Sequence, residues 1–255
     1  MAKPRPTTFL FASDSHGDMA CDDSLKALWE YKKDFKPDIT IGGGDHFDLR
    51  SIRKGAMGDK EGAESMQFDL DCGFDFLRRL APTYLLKGNH EFRLEAMARN
   101  HPSGLVRDYC QKTDDEINRV ARKAGCKRVI PYHGKKILRI GPLTFHHGIG
   151  SNLLKSGKHF TAGGVIGGGY ICGHGHTGQQ INLPQYGGGA ALMAPCLARI
   201  DDMHYSQNYL GTAQHDNGFI AGWFMGDEWR AWIIRRIGKD KWVWQTDLKV
   251  WSSKK

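Results

Sequence analysis

The sequence predicts an α/β layered fold, and three observations carry that expectation. In the first half, short apolar runs alternate with stretches of helical spacing. The later chain reads mostly as strand. Five of the apolar runs also end abruptly in loops bearing Asp, Asn or His. Strand alternating with helix argues for helices laid over a sheet, and the strand-rich remainder argues for a second sheet packed on the first. With 255 residues, 40% of them hydrophobic and 25% charged, the chain has ordinary globular composition and length enough for one domain carrying long loops.

The elements follow in order. "TTFLFASDSHGD" (7–18) is apolar through Ala12 and turns polar at Asp14. "DITIGGGDHFD" (38–48), "TYLLKGNHE" (83–91), "LTFHHG" (143–148) and "YICGHGH" (170–176) repeat that design. Between the early strands, Leu25, Leu28 and Trp29 recur at helical spacing. So do Met66, Leu70, Phe74 and Leu77, and later Ile117, Val120 and Ala124. "GFIAGWFMGDEWRAWIIRRI" (218–237) reads as a hairpin turning at Gly226-Asp227, part of the second sheet. "SNLLKSGKHFTAGGVIGGG" (151–169) reads as a mobile glycine-rich rim, with Lys155, Lys158 and His159 reaching toward substrate.

Composition excludes some classes. No apolar run approaches the ~18 residues of a membrane helix. The apolar stretch of "MAKPRPTTFLFASD" is too short for a secretory signal, so a cytoplasmic protein without membrane partners is expected. Six scattered cysteines without a CxxC pair are expected to be reduced and mostly buried. The net charge is +8, and the stretch from Trp229 to Lys255 supplies six of that surplus. Six of the seven tryptophans lie between Trp223 and Trp251, so residues 223–255 form a Trp-rich basic hairpin and tail. Aromatic faces among basic groups suit nucleic acid, whereas Trp223, Trp229 and Trp232 also suit packing inside the hairpin. Trp242, Trp244 and Trp251 leave open a sheet, a partner subunit or nucleic acid.

The strand-end clusters are Asp14-x-His16, Gly44-Asp45-x-x-Asp48, Gly88-Asn89-His90-Glu91, His147-Gly148 and Gly173-His174-Gly175-His176. In open α/β folds, ligands gather at the carboxyl ends of strands. Alternate residues of an extended segment point the same way, so His174 and His176 are expected to project together. In this order the clusters resemble the calcineurin-like metallophosphoesterase signature DxH, GDxxD, GNH[DE], H, GHxH, over residues 14 to 176.

That resemblance implies a four-layer αββα fold, two β-sheets face to face and flanked by helices, in one domain over 1–255. It implies two divalent metal ions, with manganese the first expectation and iron, nickel or zinc also suited to nitrogen and oxygen donors. Asp14, His16, Asp45 and His176 would hold the first ion. Asp45, Asn89, His147 and His174 would hold the second, with Asp45 bridging. His146 competes with His147, but the family pattern places the ligand directly before glycine. His90 would be the catalytic acid, Glu91 would orient its ring and favour its protonated form, and Asp48 would steer a metal-bound histidine, His16. A hydroxide bridging the metals would attack phosphorus in line. Arg50 and Arg93 are candidate phosphate clamps. Leu49 stands where the phosphoprotein phosphatases of the superfamily carry arginine, and the GHGH ending is diesterase-like. The expected activity is therefore a phosphodiesterase acting on nucleic acid or a nucleotide. The alternatives are a phosphomonoesterase for phosphoprotein or small molecules, and a non-catalytic scaffold resembling the retromer subunit of this superfamily. The sequence leaves the oligomeric state open.

Overall fold

The computed structural model describes residues 5–54, 65–150, 152–202, 214–238, 241–244 and 250–252, with backbone alone for Gly238 and the last two segments. Its elements are β1 (Thr7–Ala12), α1 (Asp22–Phe35), β2 (Ile39–Gly42), α2 (Gln67–Leu80), β3 (Tyr84–Leu86), α3 (Asn89–Asn100), α4 (Gly104–Lys123) and β4 (Arg128–Ile130). There follow β5 (Leu138–Ile140), β6 (Leu143–His146), α5 (Leu153–Thr161), β7 (Gly169–Cys172), β8 (Gln179–Asn182), β9 (Ala190–Met193), β10 (Gly218–Met225), β11 (Glu228–Gly238), β12 (Lys241–Trp244) and β13 (Val250–Ser252).

Two mixed sheets result. The larger has the order β13-β12-β11-β10-β1-β2-β3-β4, with β1 to β4 parallel and β10 antiparallel to β1. The smaller has the order β5-β6-β7-β9-β8, parallel in its β6-β7-β9 centre. Strand alternation divides the side chains between layers. Phe9, Phe11, Ile41 and Ile220 of the first sheet meet Leu143, Phe145, Ile171 and Leu192 of the second in one buried core. The opposite faces carry Leu10, Ala12 and Phe219, packed under α1, α2 and α4. On the outer face of the second sheet, Tyr170, Cys172 and Met193 lie beneath Leu153 and Phe160 of α5. The layers are therefore helix, sheet, sheet, helix.

Two expectations are corrected here. The Gly226 hairpin does turn where its sequence indicates, with Gly226 at φ 60°, but it extends the first sheet rather than the second. Both of its faces are buried, and nothing local specifies that Leu10 pairs with Ala221. Residues 153–161 are a helix, not a loop. Asn152 caps it by accepting from the Lys155 amide at 2.8 Å, Leu153 and Phe160 are buried, and Lys155, Lys158 and His159 face solvent. The stretch is thus a helix followed by a glycine-rich connection over 162–168, and not one continuous loop.

Trp229 packs against the inter-sheet core and donates to the Gly167 carbonyl, while Trp232 donates to the Tyr31 hydroxyl. Trp223 is half-buried on β10. The side chains of Trp242, Trp244 and Trp251 lie outside the described residues. Arg235 is paired with Asp216, and Arg236 with Asp23. No helix among the described residues is long and apolar enough to cross a membrane.

Candidate metal centre

The carboxyl ends of β1, β2, β3, β6 and β7 meet at one end of the sandwich, and main-chain bonds lace their loops together. The Asp14 amide donates to the Gly44 carbonyl at 2.9 Å, His16 to Asp45 at 3.0 Å, and Gly173 to His147 at 2.7 Å. Asp14, His16, Asp45, Leu49, His174 and His176 all have positive φ, between 51° and 70°. Such backbone costs energy outside glycine, and it collects at functional sites. It also corrects the reading of the HxH pair. β7 ends at Cys172, and His174 and His176 reach the site through left-handed turns, not through strand alternation.

Glycines beside the candidate ligands have a steric reason. A Cβ on Gly88 would overlap the Asp45 carboxylate. At Gly148, φ is +123°, and a Cβ would lie 2.8 Å from that of His174.

Among the described residues, three groupings bring ligand atoms within 4.8 Å of one another: Asp14–His16–His176, His16–Asp45–His90 and Asp45–His147–His174. In the first, His16 Nε2 lies 3.2 Å from His176 Nε2, which is 3.3 Å from Asp14 Oδ1. On the other side, His147 Nε2 is 3.1 Å from Asp45 Oδ2 and 3.2 Å from Asn89 Oδ1, and Asn89 Oδ1 is 2.7 Å from His174 Nδ1. Asp45 stands in a grouping on each side. His146 points the other way, its ring stacked on Phe160 at 4.8 Å.

The electrostatics follow from burial and neighbours. Burial works against ionised Asp14, but the His176 hydrogen bond and the nearby histidines hold its carboxyl well below the usual range. Asp45 is held low against burial by His147, His90 and His16. Burial would lower His16, yet the hydrogen bond and charge of Asp48, with Asp45 and Asp14, bring it to about 9. His147 reaches about 10 against burial, through Asp45 and Asp14. His174 is lowered to about 4 by burial and by His147.

Divalent ions fit this donor set. Two imidazole nitrogens facing each other at 3.2 Å in a buried place share at most one proton, whereas both can ligate a cation. The outer nitrogens are already engaged: His16 Nδ1 lies 2.9 Å from Asp48 Oδ1, and His147 Nδ1 lies 2.9 Å from the Gly43 carbonyl. Such partners turn Nε2 and its lone pair inward.

The sequence matches the calcineurin-like phosphoesterase family over residues 7–190. The chain belongs to that family. No curated protein matches it. Solved structures similar to this chain include a metallophosphoesterase from Sphaerobacter thermophilus, 13% identical over 86% of this chain and 84% of that one, with a TM-score of 0.42. Vacuolar protein sorting 29 from Cryptosporidium parvum is 12% identical over 98% and 100%, at 0.48. The Escherichia coli phosphoesterase Yfce is 10% identical over 95% and 96%, at 0.40.

The remaining expected site residues divide. His90 is buried, and its ring meets that of His16 edge-on at 4.6 Å. Arg93 Nη2 lies 3.0 Å from His90 Nε2, and His90 Nδ1 lies 2.6 Å from the Asp48 carbonyl. Because a guanidinium only donates, Nε2 accepts, Nδ1 carries the proton, and the ring is neutral. Burial lowers its pKa, with His16 and Arg93 adding to that.

Glu91 does not orient this ring, contrary to expectation. Its carboxylate accepts the amides of Gly88 at 2.7 Å, Asp45 at 3.0 Å and His46 at 2.7 Å, tying the β2 and β3 loops together at the start of α3. Arg50 also departs from its expected role. Its fork holds Asp18 at 2.7 and 2.6 Å, with Asp48 Oδ2 3.6 Å away. Arg93, by contrast, lies beside His90.

Sequence reasoning missed three residues. His46 is buried, stacks on Phe76 at 4.7 Å, and has its pKa lowered to about 3 by burial. Tyr132 meets His147 edge-on at 5.7 Å. His215 meets His176 at 4.9 Å. His46 sits inside GDHFD and was open to notice, whereas no local pattern surrounds Tyr132 or His215.

Proposed function

We propose that this chain is a dinuclear-metal phosphodiesterase acting on a nucleotide or nucleic acid, with manganese the first metal to test. The observation that supports it is the gathering of Asp14, His16, Asp45, Asn89, His147, His174 and His176 from five strand ends, with His90 and Arg93 beside them. Asp14, His16 and His176 would hold one ion, Asn89, His147 and His174 would hold the other, and Asp45, which stands in a grouping on each side, would serve both. Two divalent cations in such a site supply Lewis-acid polarisation of the phosphoryl group and a water nucleophile at neutral pH.

The chain's own groups do the rest. Asp48 and the Gly43 carbonyl fix the tautomers of His16 and His147. When the phosphoester enters, Arg93 turns from His90 Nε2 to a phosphoryl oxygen. His90, freed of that donor and facing new negative charge, gains basicity, takes up a proton at Nε2 and hands it to the leaving oxygen.

Arg50 is engaged by Asp18, while the Arg93 guanidinium stands beside His90. A diester carries one negative charge where a monoester approaches two, and the lighter charge suits this site. The GHGH ending supports the same choice. The test strips the protein with a chelator, adds manganese, and compares bis-p-nitrophenyl phosphate with p-nitrophenyl phosphate. Faster diester turnover is expected. Faster monoester turnover would favour the phosphatase reading, and turnover of neither would refute both. Single-stranded DNA, RNA, cyclic nucleotides and a phosphopeptide then separate the substrate classes.

A further inference from the structure

A histidine that ligates a metal presents one nitrogen to the ion and donates the other N–H to an outer acceptor. His16 has Asp48, and His147 has the Gly43 carbonyl. His176 directs Nε2 at His16 and Asp14, so its Nδ1 is the outward nitrogen. That Nδ1 is buried and has no hydrogen-bond partner among the described residues. His215 Nδ1 is in the same condition. The two rings meet at a centroid separation of 4.9 Å and an angle of 63°. We propose that His215 is the outer partner of His176, accepting its Nδ1 proton and so holding Nε2 toward the first cation.

The inference rests on the reading of this cluster as a metal site. One imidazole donating to the other satisfies both orphan nitrogens, and the χ2 torsion of histidine is broad enough to align them. His215 is held for this purpose. The Asp216 amide next to it donates to the carbonyl of His176 itself at 2.9 Å. Asp216 Oδ1 accepts from the Gly178 amide at 2.9 Å, and Arg235 pairs with the same carboxylate. Asn217 then donates to the Ala198 carbonyl at 2.8 Å. His215 belongs to none of the three ligand groupings, which makes it a positioning residue and not a further ligand. It also lies beyond residue 190, where the family match ends, so this support comes from the chain's own later segment.

The experiment titrates the chelator-stripped 255-residue chain with Mn²⁺, following binding by calorimetry and electron paramagnetic resonance, with melting of the metal-free protein alongside. His215→Phe keeps a ring but removes the acceptor. It is expected to weaken one of the two ions by about 10- to 100-fold, to leave the other ion and the metal-free melting temperature unchanged, and to alter the Mn²⁺ spectrum. His215→Asn, which restores an acceptor, is expected to recover most of the affinity. Unchanged affinity for both ions in His215→Phe would overturn the proposal. A raised KM with normal affinity would overturn it too, by making His215 a substrate contact. Equal weakening of both ions with a lowered melting temperature would reduce it to a general packing role and also overturn it. A wild-type protein that binds two ions but cleaves no phosphoester would refute the proposed activity alone.

Discussion

At pH 7 the metal-free centre stores protons where its cations belong. His16, with a pKa of about 9, and His147, at about 10, each carry a proton, and each must release it before Nε2 can ligate. At about 1.4 kcal/mol per pH unit, deprotonation at pH 7 costs about 3 kcal/mol for His16 and about 4 kcal/mol for His147. Together these weaken joint binding by roughly 10⁵ relative to a deprotonated site. Two released protons make the joint affinity rise about a hundredfold from pH 7 to pH 8. Calorimetry of Mn²⁺ binding in buffers of different ionisation enthalpy counts the protons directly, and about two per chain are expected. The sign for stability runs the other way. Both folded pKa values exceed the ordinary 6.5, so this stabilisation of the metal-free fold is complete below pH 6.5 and is lost as pH rises through 9 to 10. Metal binding with no proton release and no pH dependence would refute the reasoning.

Three substitutions test other parts of the account. His90→Asn should leave both ions bound while slowing turnover by roughly 10² to 10⁴, and loss of an ion in a metal titration would make His90 a ligand instead. Gly88→Ala places a methyl group against the Asp45 carboxylate, so metal affinity and activity should fall together, with about 1–3 kcal/mol of stability lost in urea unfolding. Lys87, buried at the end of β3, pairs with Asp114 at 2.6 Å and lies 3.6 Å from Glu95. Lys87→Met strands the Asp114 carboxylate and should cost about 3–5 kcal/mol in the same assay, whereas a change within error would show that pair to be neutral.

What was legible in the sequence was local. Apolar runs ending in Asp, Asn or His marked five strand ends, because a strand and its loop are contiguous and burial dictates their composition. The gathering of Asp14, Asn89 and His174 follows once those strands are parallel neighbours, or face each other across the two sheets. Illegible features depended on distant pairing or on backbone that the pattern does not encode. The HxH pair suggested strand alternation, but left-handed residues direct His174 and His176. Glu91 lies next to His90 in sequence, yet its carboxylate accepts from amides 45 and 46 residues away and not from its neighbour's ring. The β10–β11 hairpin was visible as a hairpin but not as a neighbour of β1. Residues 153–161 looked like a glycine-rich loop because the glycines on both sides obscured the Leu153–Phe160 face that binds the sheet. His215 has no motif at all and enters the site only through the fold.

Anomalous diffraction from crystals soaked in manganese tests the central claim most directly. The account predicts two peaks per chain on either side of Asp45, one among Asp14, His16 and His176 and the other among Asn89, His147 and His174. No peak at these side chains, or a single peak that Asp45 does not touch, would contradict it.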